Sequence, residues 1–156
     1  AGVTPRVLVS ACLLGATCRY DGKCAVVEAV RREACVRGWI PVCPEQLGGL
    51  CTPRTPAERQ GDRVCTRNGG DVTEAYRRGA EEALRLAKLY GAKYAVLKER
   101  SPSCGSGTIY DGTFSGAKIP GDGVTAQLLK AAGVEVFGES RLEELLTRIE
   151  ADAAQD

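Results

Sequence analysis

Three cysteines lie where the sequence predicts three strands to end. They are Cys12, Cys43 and Cys104, which follow the apolar segments 6–11, 39–42 and 94–100. In open α/β sheets the ligand crevice lies beyond the carboxyl ends of the strands, so thiols from distant parts of the chain can meet there. Thiolates are soft ligands that bind iron–sulfur clusters, zinc and copper. Three thiolates are one fewer than a closed four-thiolate site uses, which leaves one coordination position for a substrate.

A carboxylate and two hydroxyl groups accompany these cysteines. Glu45 lies two residues after Cys43, and we expect it to face the same crevice and to exchange a proton there; an exposed loop glutamate is the alternative. Ser101 and Ser103 flank a proline, where hydroxyl groups also serve simple turn formation. The chain has no histidine, so a general base must be a carboxylate, lysine, cysteine or tyrosine.

The other five cysteines carry weaker signals. Cys18 is not part of a phosphatase-type loop, because Arg19 follows Cys12 one position too late, and it is either a fourth ligand or a resolving thiol. Cys35 is expected to be a small buried residue on a helix face. The remaining three are expected to be structural or to form a loop disulfide; they are Cys24, Cys51 and Cys65.

Length and composition favour one globular domain over residues 1–156. An apolar fraction of 44% is enough for a hydrophobic core, and a formal charge of +1 gives no strong basic field for holding nucleic acid. No apolar run approaches the ~20 residues that span a membrane. Residues 1–5 do not have the pattern of a secretory signal, so we expect a cytoplasmic protein without a membrane partner.

The spacing of apolar residues predicts alternating strands and helices. The predicted strands are 6–12, 39–43, 92–98 and 134–137, and the predicted helices are 25–37, 71–90, 123–132 and 141–151. Thr73 is the expected N-cap of the second helix. Residues 44–70 and 101–123 are expected to be irregular, with a short strand at 64–66. This order predicts an α/β, Rossmann-like three-layer domain with a mainly parallel sheet of about four strands and helices on both faces.

Several longer motifs resemble the thiouracil desulfidase family, once described as a domain of unknown function. The likeness runs from about Val7 to Phe137. The motifs are SACLLG at 10–15, CRYDG at 18–22, PVCPEQLGGL at 41–50, TPR at 52–54, GDVT at 70–73 and LKERSPSCG at 97–105. Cys51 departs from the pattern, since a proline or a small residue is expected there.

The resemblance implies an iron–sulfur-dependent desulfidase. It implies a 4Fe–4S cluster held by Cys12, Cys43 and Cys104, with the fourth iron free of protein ligands. The implied reaction removes sulfur from a thiolated pyrimidine without net redox change and releases hydrosulfide. The family's acid/base carboxylate matches Glu45, and its site serine matches Ser101. Some family members carry an additional domain and act on thiolated tRNA bases. No such domain is expected here, so the expected partner is a free base or nucleotide such as 2-thiouracil, and tRNA is the less favoured alternative.

Three alternatives remain open from the residues alone. The first is a non-enzymatic module in which an iron–sulfur cluster or zinc senses redox state or metal. The second is a thiol reductase that uses Cys12 and Cys18 without iron. The third is an α/β domain whose cysteines form disulfides.

Overall fold

The computed structural model describes residues 6–154, which contain eight strands and five α-helices. The strands are β1 Val7–Ser10, β2 Ile40–Val42, β3 Ala57–Gln60, β4 Arg63–Thr66, β5 Tyr94–Leu97, β6 Thr108–Tyr110, β7 Lys118–Pro120 and β8 Glu135–Gly138. The helices are α1 Glu28–Arg37, α2 Pro44–Leu47, α3 Thr73–Tyr90, α4 Val124–Ala131 and α5 Leu142–Ala154. Short 3₁₀ helices cover Ala11–Leu14 and Glu139–Arg141.

The central sheet has four parallel strands in the order β2-β1-β5-β8. Strands β1 and β5 are buried along their whole length, because side chains on both of their faces are covered by helices. Unbroken apolar runs of this kind are typical of parallel sheets that are buried on both sides. The predicted parallel sheet of about four strands is therefore confirmed.

Helices cover the two faces of the sheet in pairs. Val7 and Val9 point to one face and pack in a core with residues of α1 and α5. Leu8 points to the opposite face, into a second core with residues of α3 and α4. The predicted three-layer arrangement is thus confirmed. The assignment of residues 1–156 to a single domain stays a prediction, and the predicted absence of a signal in residues 1–5 lies outside the described residues.

Two segments that were predicted to be irregular contain regular structure. Residues 44–70 hold α2 and an antiparallel hairpin of β3 and β4, so only the short strand at 64–66 was anticipated. Residues 101–123 hold a second antiparallel hairpin, formed by β6 and β7. The expectation of irregular loops was wrong because these strands lack an apolar alternation; β7, for example, is exposed at every position.

The start of α3 also differs from the prediction. Val72, not Thr73, is the N-cap, and Thr73 is the first helical residue. The Thr73 hydroxyl accepts a hydrogen bond from the Val64 backbone N–H at 2.9 Å and donates one to Asp71 at 2.6 Å. Its hydroxyl therefore joins the helix to β4 instead of capping the helix. Within residues 6–154, none of the helices combines the length and apolar composition needed to cross a bilayer.

Two glycines allow α2 to lie directly against α3. A Cβ atom on Gly48 would collide with the backbone carbonyl of Ala75, and one on Gly79 would collide with the carbonyl of Pro44. The backbones of the two helices are therefore in contact without intervening side chains. This contact fixes α2, and with it the Glu45 side chain, against the first two turns of α3.

We expect Gly79→Ala to destabilise the protein although alanine is the better helix former by ~1 kcal/mol. The added methyl group has no space against Pro44, and overpacking of this kind lowers the free energy of unfolding by about 1–3 kcal/mol. Urea denaturation followed by circular dichroism measures the change. Glu81→Ala, on the exposed side of α3, is the control and should alter stability by less than about 0.5 kcal/mol. A Gly79→Ala protein as stable as the Glu81→Ala protein would contradict this account of the contact.

Candidate active site

A cavity of about 520 Å³ lies at the carboxyl edge of the central sheet. Cys12, Cys43 and Cys104 all line it, and they follow the three neighbouring strands β1, β2 and β5. Because β1 lies between the other two strands, Cys12 comes from the middle of the edge and the other cysteines from its two sides. The structure therefore brings these three cysteines together in one cavity, although the first and the last are 92 positions apart in the sequence.

Each cysteine is placed by a tight local structure. Cys12 lies in the 3₁₀ helix that follows β1, which ends at Gly15 in a left-handed conformation. Cys43 is the N-cap of α2 and has extended backbone angles. Cys104 follows a turn in which the Ser101 hydroxyl oxygen accepts the backbone N–H groups of Ser103 and Cys104, each at 3.1 Å. The turn thus uses Ser101 to aim Cys104 at the cavity.

Two serine hydroxyl groups interact with the Cys104 sulfur. Burial raises the pKa of Cys104 to about 12, and hydrogen bonds from Ser10 and Ser103 partly oppose that rise. Ser10 is itself held, because its oxygen accepts the Lys98 backbone N–H at 2.9 Å. The Ser103 hydroxyl is shared with that of Thr125 at 2.9 Å in the buried interior. These two serines supply polar support on the protein side of a sulfur that faces the cavity.

Cys18 is a fourth thiol in this cavity, in contact with two of the other three. It is buried beside Cys12, whose hydrogen bond raises the pKa of Cys18. A hydrogen bond with Cys18 likewise raises the pKa of Cys43, and the Cys43 sulfur lies 3.8 Å from the Cys18 carbonyl oxygen. The sequence left the role of Cys18 open, and the structure places it among the cavity thiols.

Glu45 lines the same cavity, and both of its carboxylate oxygens have protein partners. Oε2 forms an ion pair with Arg54, and Oε1 accepts the Tyr76 hydroxyl at 2.9 Å. The side chains are largely buried, with 16% of Glu45 and 8% of Arg54 exposed. Burial alone would lower the pKa of Arg54, but the adjacent Glu45 carboxylate raises it overall. Glu45 is therefore a fixed, charge-compensated carboxylate and not the exposed loop residue of the alternative prediction.

Arg54 and Tyr76 are site residues that the sequence reasoning missed. Besides Glu45, the Arg54 guanidinium donates to the carbonyl oxygens of Cys18 at 2.9 Å and Cys51 at 3.1 Å, and to the Thr52 hydroxyl at 2.9 Å. The TPR motif at 52–54 contained the only signal for Arg54. The helical spacing of Tyr76 and Ala80 predicts a core position for Tyr76, and burial indeed raises the pKa of its phenol. Sequence periodicity cannot tell a core tyrosine from one whose hydroxyl reaches a site.

Ser101 lines the cavity next to Cys104. Its oxygen accepts the two backbone N–H groups of the turn, and no described protein group accepts its hydroxyl proton. That proton can therefore be donated to a molecule in the cavity. The structure uses Ser101 for a turn and also presents it to the cavity, so the two interpretations made from the sequence are compatible.

The remaining cysteines lie away from the cavity. All eight cysteines fall within residues 6–154 and all are free thiols. Of the two alternatives for Cys24, Cys51 and Cys65, a structural role or a loop disulfide, the loop disulfide is therefore wrong. The expectation that Cys35 is buried is also wrong, because Cys35 is exposed. Helix α1 buries Val30 and Ala34, and Cys35 lies one residue further, about 100° around the helix axis.

Aromatic and basic side chains form the outer wall of the cavity. Phe114 and Tyr110 come from the β6–β7 hairpin, and Arg67 lies just beyond β4, with its guanidinium 5.5 Å from the centre of the Phe114 ring. None of these residues was predicted from the sequence, because they belong to the two hairpins that were expected to be irregular. The cavity thus has a thiol-rich floor at the sheet edge and an aromatic wall on the hairpins.

Comparison with known proteins shows which family this chain belongs to. The model of the 2-thiouracil desulfurase family matches residues 7–141. The chain belongs to this family. The uncharacterized protein YbbK of Bacillus subtilis (strain 168) is 48% identical over 150 residues, with 90% of this chain and 99% of that protein covered.

One solved structure has nearly the same fold as this chain. It is that of TudS, a [4Fe-4S]-dependent thiouracil desulfidase, and it is 46% identical to this chain with a TM-score of 0.90. The match covers 94% of this chain and 99% of that one. The resemblance of the sequence motifs to the thiouracil desulfidase family is therefore confirmed.

We expect alkylation of the cluster-free protein to separate the cysteines by location. Exposed Cys35 and Cys51 should react with iodoacetamide first, and buried Cys12, Cys18 and Cys104 should react slowly. A pKa of about 12 for Cys104, against its usual value of 9.0, leaves about a thousandfold less thiolate to react. Peptide mass spectrometry over a time course gives the order. Unfolding in guanidinium should make all eight react alike, and fast labelling of Cys104 in the folded protein would contradict its burial.

Proposed function

We propose that this member of the 2-thiouracil desulfurase family hydrolyses the carbon–sulfur bond of a small thiolated pyrimidine such as 2-thiouracil. Water supplies the oxygen, so the C=S group becomes C=O and sulfur is released as hydrosulfide without net redox change. One observation carries the proposal: three cysteines, a carboxylate and a serine line the same cavity. Family membership supplies the reaction class, and this cavity supplies groups that can perform it.

Cys12, Cys43 and Cys104 are the proposed ligands of a 4Fe–4S cluster, the cofactor that the name of TudS specifies for that protein. The donor set fits such a cluster, because it consists of soft sulfur atoms around a cavity.

The surroundings of the thiols also suit a cluster. The hydroxyls of Ser10 and Ser103 interact with the Cys104 sulfur, and hydrogen bonds to sulfur tune iron–sulfur centres. Held by Cys12, Cys43 and Cys104, such a cluster would supply a Lewis acid that can polarise a thiocarbonyl group. The protein's own task is then to bind the pyrimidine, to orient water and to move protons.

Glu45 is the proposed acid/base group. Each carboxylate oxygen has about two acceptor sites, so the bonds to Arg54 and Tyr76 leave room for a water molecule on the cavity side. Because both oxygens are held, the carboxylate keeps one orientation while it takes a proton from that water. Such a positioned group contributes about 10²–10⁴-fold to the rate.

Ser101 is the proposed hydrogen-bond donor to the substrate. Its oxygen is fixed by the turn that positions Cys104, at 3.1 Å from two backbone nitrogens. Its proton can reach a ring nitrogen or oxygen of the pyrimidine, or orient the attacking water. The same short turn would therefore hold a cluster ligand, Cys104, and a substrate contact, Ser101, at a fixed distance from each other.

The alternative function is that of a sensing module, and the environment of Glu45 argues against it. A sensor needs thiolates for its metal but has no use for a carboxylate that Arg54 and Tyr76 hold in the same cavity. Burying a charged pair costs free energy, because both groups lose their hydration. A buried pair of this kind is therefore better explained by a functional role than by stability alone. A proton-transfer role for Glu45 supplies one.

We expect Glu45→Gln to reduce turnover of 2-thiouracil by about 10²–10⁴-fold while the cluster stays intact. Glutamine keeps the size of the side chain but cannot take the proton. Sulfide release under anaerobic conditions measures the rate, and iron content with the visible spectrum measures the cluster. A Glu45→Gln enzyme with the wild-type rate would remove the proposed role.

The cysteine variants should behave differently from Glu45→Gln. Replacement of Cys12, Cys43 or Cys104 by serine is expected to abolish both iron binding and activity. Cys35→Ser is the matched control, since Cys35 is exposed and outside the cavity, and it should keep the full iron content and rate. Full iron content in all three cavity variants would contradict the ligand assignment.

A further inference from the structure

The apex of the β6–β7 hairpin holds a phenylalanine in an unusual backbone conformation. Phe114 has φ of 59°, in the left-handed region that residues other than glycine rarely adopt. Within residues 6–154 only one other non-glycine residue, Arg100 with φ of 66°, has such a conformation. Both line the cavity that contains the cysteines. Strain of this kind persists only where the surroundings impose it, and it collects at functional sites.

The first hairpin imposes this conformation on the second. One carboxylate oxygen of Glu58, on β3, accepts the backbone N–H groups of Gly112 at 3.0 Å and Phe114 at 3.1 Å. Gln60, on the same strand, donates to the Gly112 carbonyl oxygen at 2.9 Å. Within the apex, Asp111 accepts the Thr113 backbone N–H at 2.9 Å. The apex is therefore clamped, and the direction of the Phe114 side chain is fixed with it.

The clamp places an aromatic ring in the cavity wall instead of in the core. Phe114 is only half-buried, and its ring lines the cavity with the Arg67 guanidinium 5.5 Å from its centre. Neither hydrophobic core of the domain contains Phe114. A large apolar side chain that is held in a strained conformation, outside both cores and in a cavity wall, has an arrangement that favours contact with a planar ligand.

We propose that Phe114 is the residue against which the pyrimidine ring of the substrate stacks, and that it determines specificity for a planar heterocycle. The proposal rests on the proposed function, because that function supplies the pyrimidine. Stacking of a base on an aromatic side chain changes affinity by about 5- to 100-fold. Stacking on an aromatic ring does not distinguish one base from another, because every base has a flat π-face. Phe114 would therefore select for a flat ring, and Ser101 would contact the polar edge of that ring.

The test compares three variants of the cluster-loaded enzyme. Phe114→Leu keeps an apolar side chain without a ring, and we expect it to raise KM for 2-thiouracil by about 5- to 100-fold with kcat close to wild type. Phe114→Tyr keeps the aromatic ring, so its KM should be close to that of the wild-type enzyme. Tyr90→Leu is the matched control, because Tyr90 also packs under an arginine, Arg6 at 5.7 Å, but lies outside the cavity. It should leave KM unchanged.

A second measurement does not depend on turnover. Calorimetric binding of 2-thiouracil to the cluster-free protein should weaken in Phe114→Leu and recover in Phe114→Tyr. A Phe114→Leu enzyme that is less stable to heat but has wild-type KM and affinity would show a purely structural role and would overturn the proposal. Absence of desulfuration by the wild-type enzyme would instead overturn the proposed function, so the two failures are distinguishable.

Discussion

The parallel pairing of β1 with both β2 and β5 is the constraint on which the site depends. Parallel strands end at the same edge of a sheet, so residues that follow three adjacent strands are brought to one place without any long-range contact of their own. The pairing is in turn stabilised by helices on both faces, which bury β1 and β5 completely. The positions of Cys12, Cys43 and Cys104 are consequences of this core packing.

A second constraint fixes the Glu45 carboxylate relative to the cysteines. Cys43 is the N-cap of α2 and Glu45 is in its first turn, so one short helix carries both a proposed ligand and the proposed acid/base group. The backbone contact of α2 with α3 then brings Glu45 to Tyr76. Arg54 completes the arrangement from the opposite side, and losing either member of the pair would leave a buried charge without a partner.

The parts of the molecule that were predictable from sequence are those with a periodic apolar signal. Buried strands such as β1 and the amphipathic α3 have that signal. Three of the four cavity cysteines, Cys12, Cys43 and Cys104, follow the ends of such strands. The hairpins β3–β4 and β6–β7 do not have it, because their strands pair with each other and remain largely at the surface. Arg54 and Phe114 were missed for the same reason: their placement depends on contacts between segments, such as that of Glu58 with the second hairpin.

The site therefore has two halves with different physical origins. The half that contains the cysteines is positioned by the buried sheet. A change in strand register would disturb the close packing of the core, so the geometry of this half cannot change without a loss of folding stability. The aromatic half is built on exposed hairpins that are tied to each other by a few polar contacts, including those of Glu58 and Gln60. Substitutions there can alter the cavity wall while the cysteines stay in place. With the proposed role of Phe114, substitutions on the hairpins would change the choice of heterocycle while the cysteines and the fold stay the same.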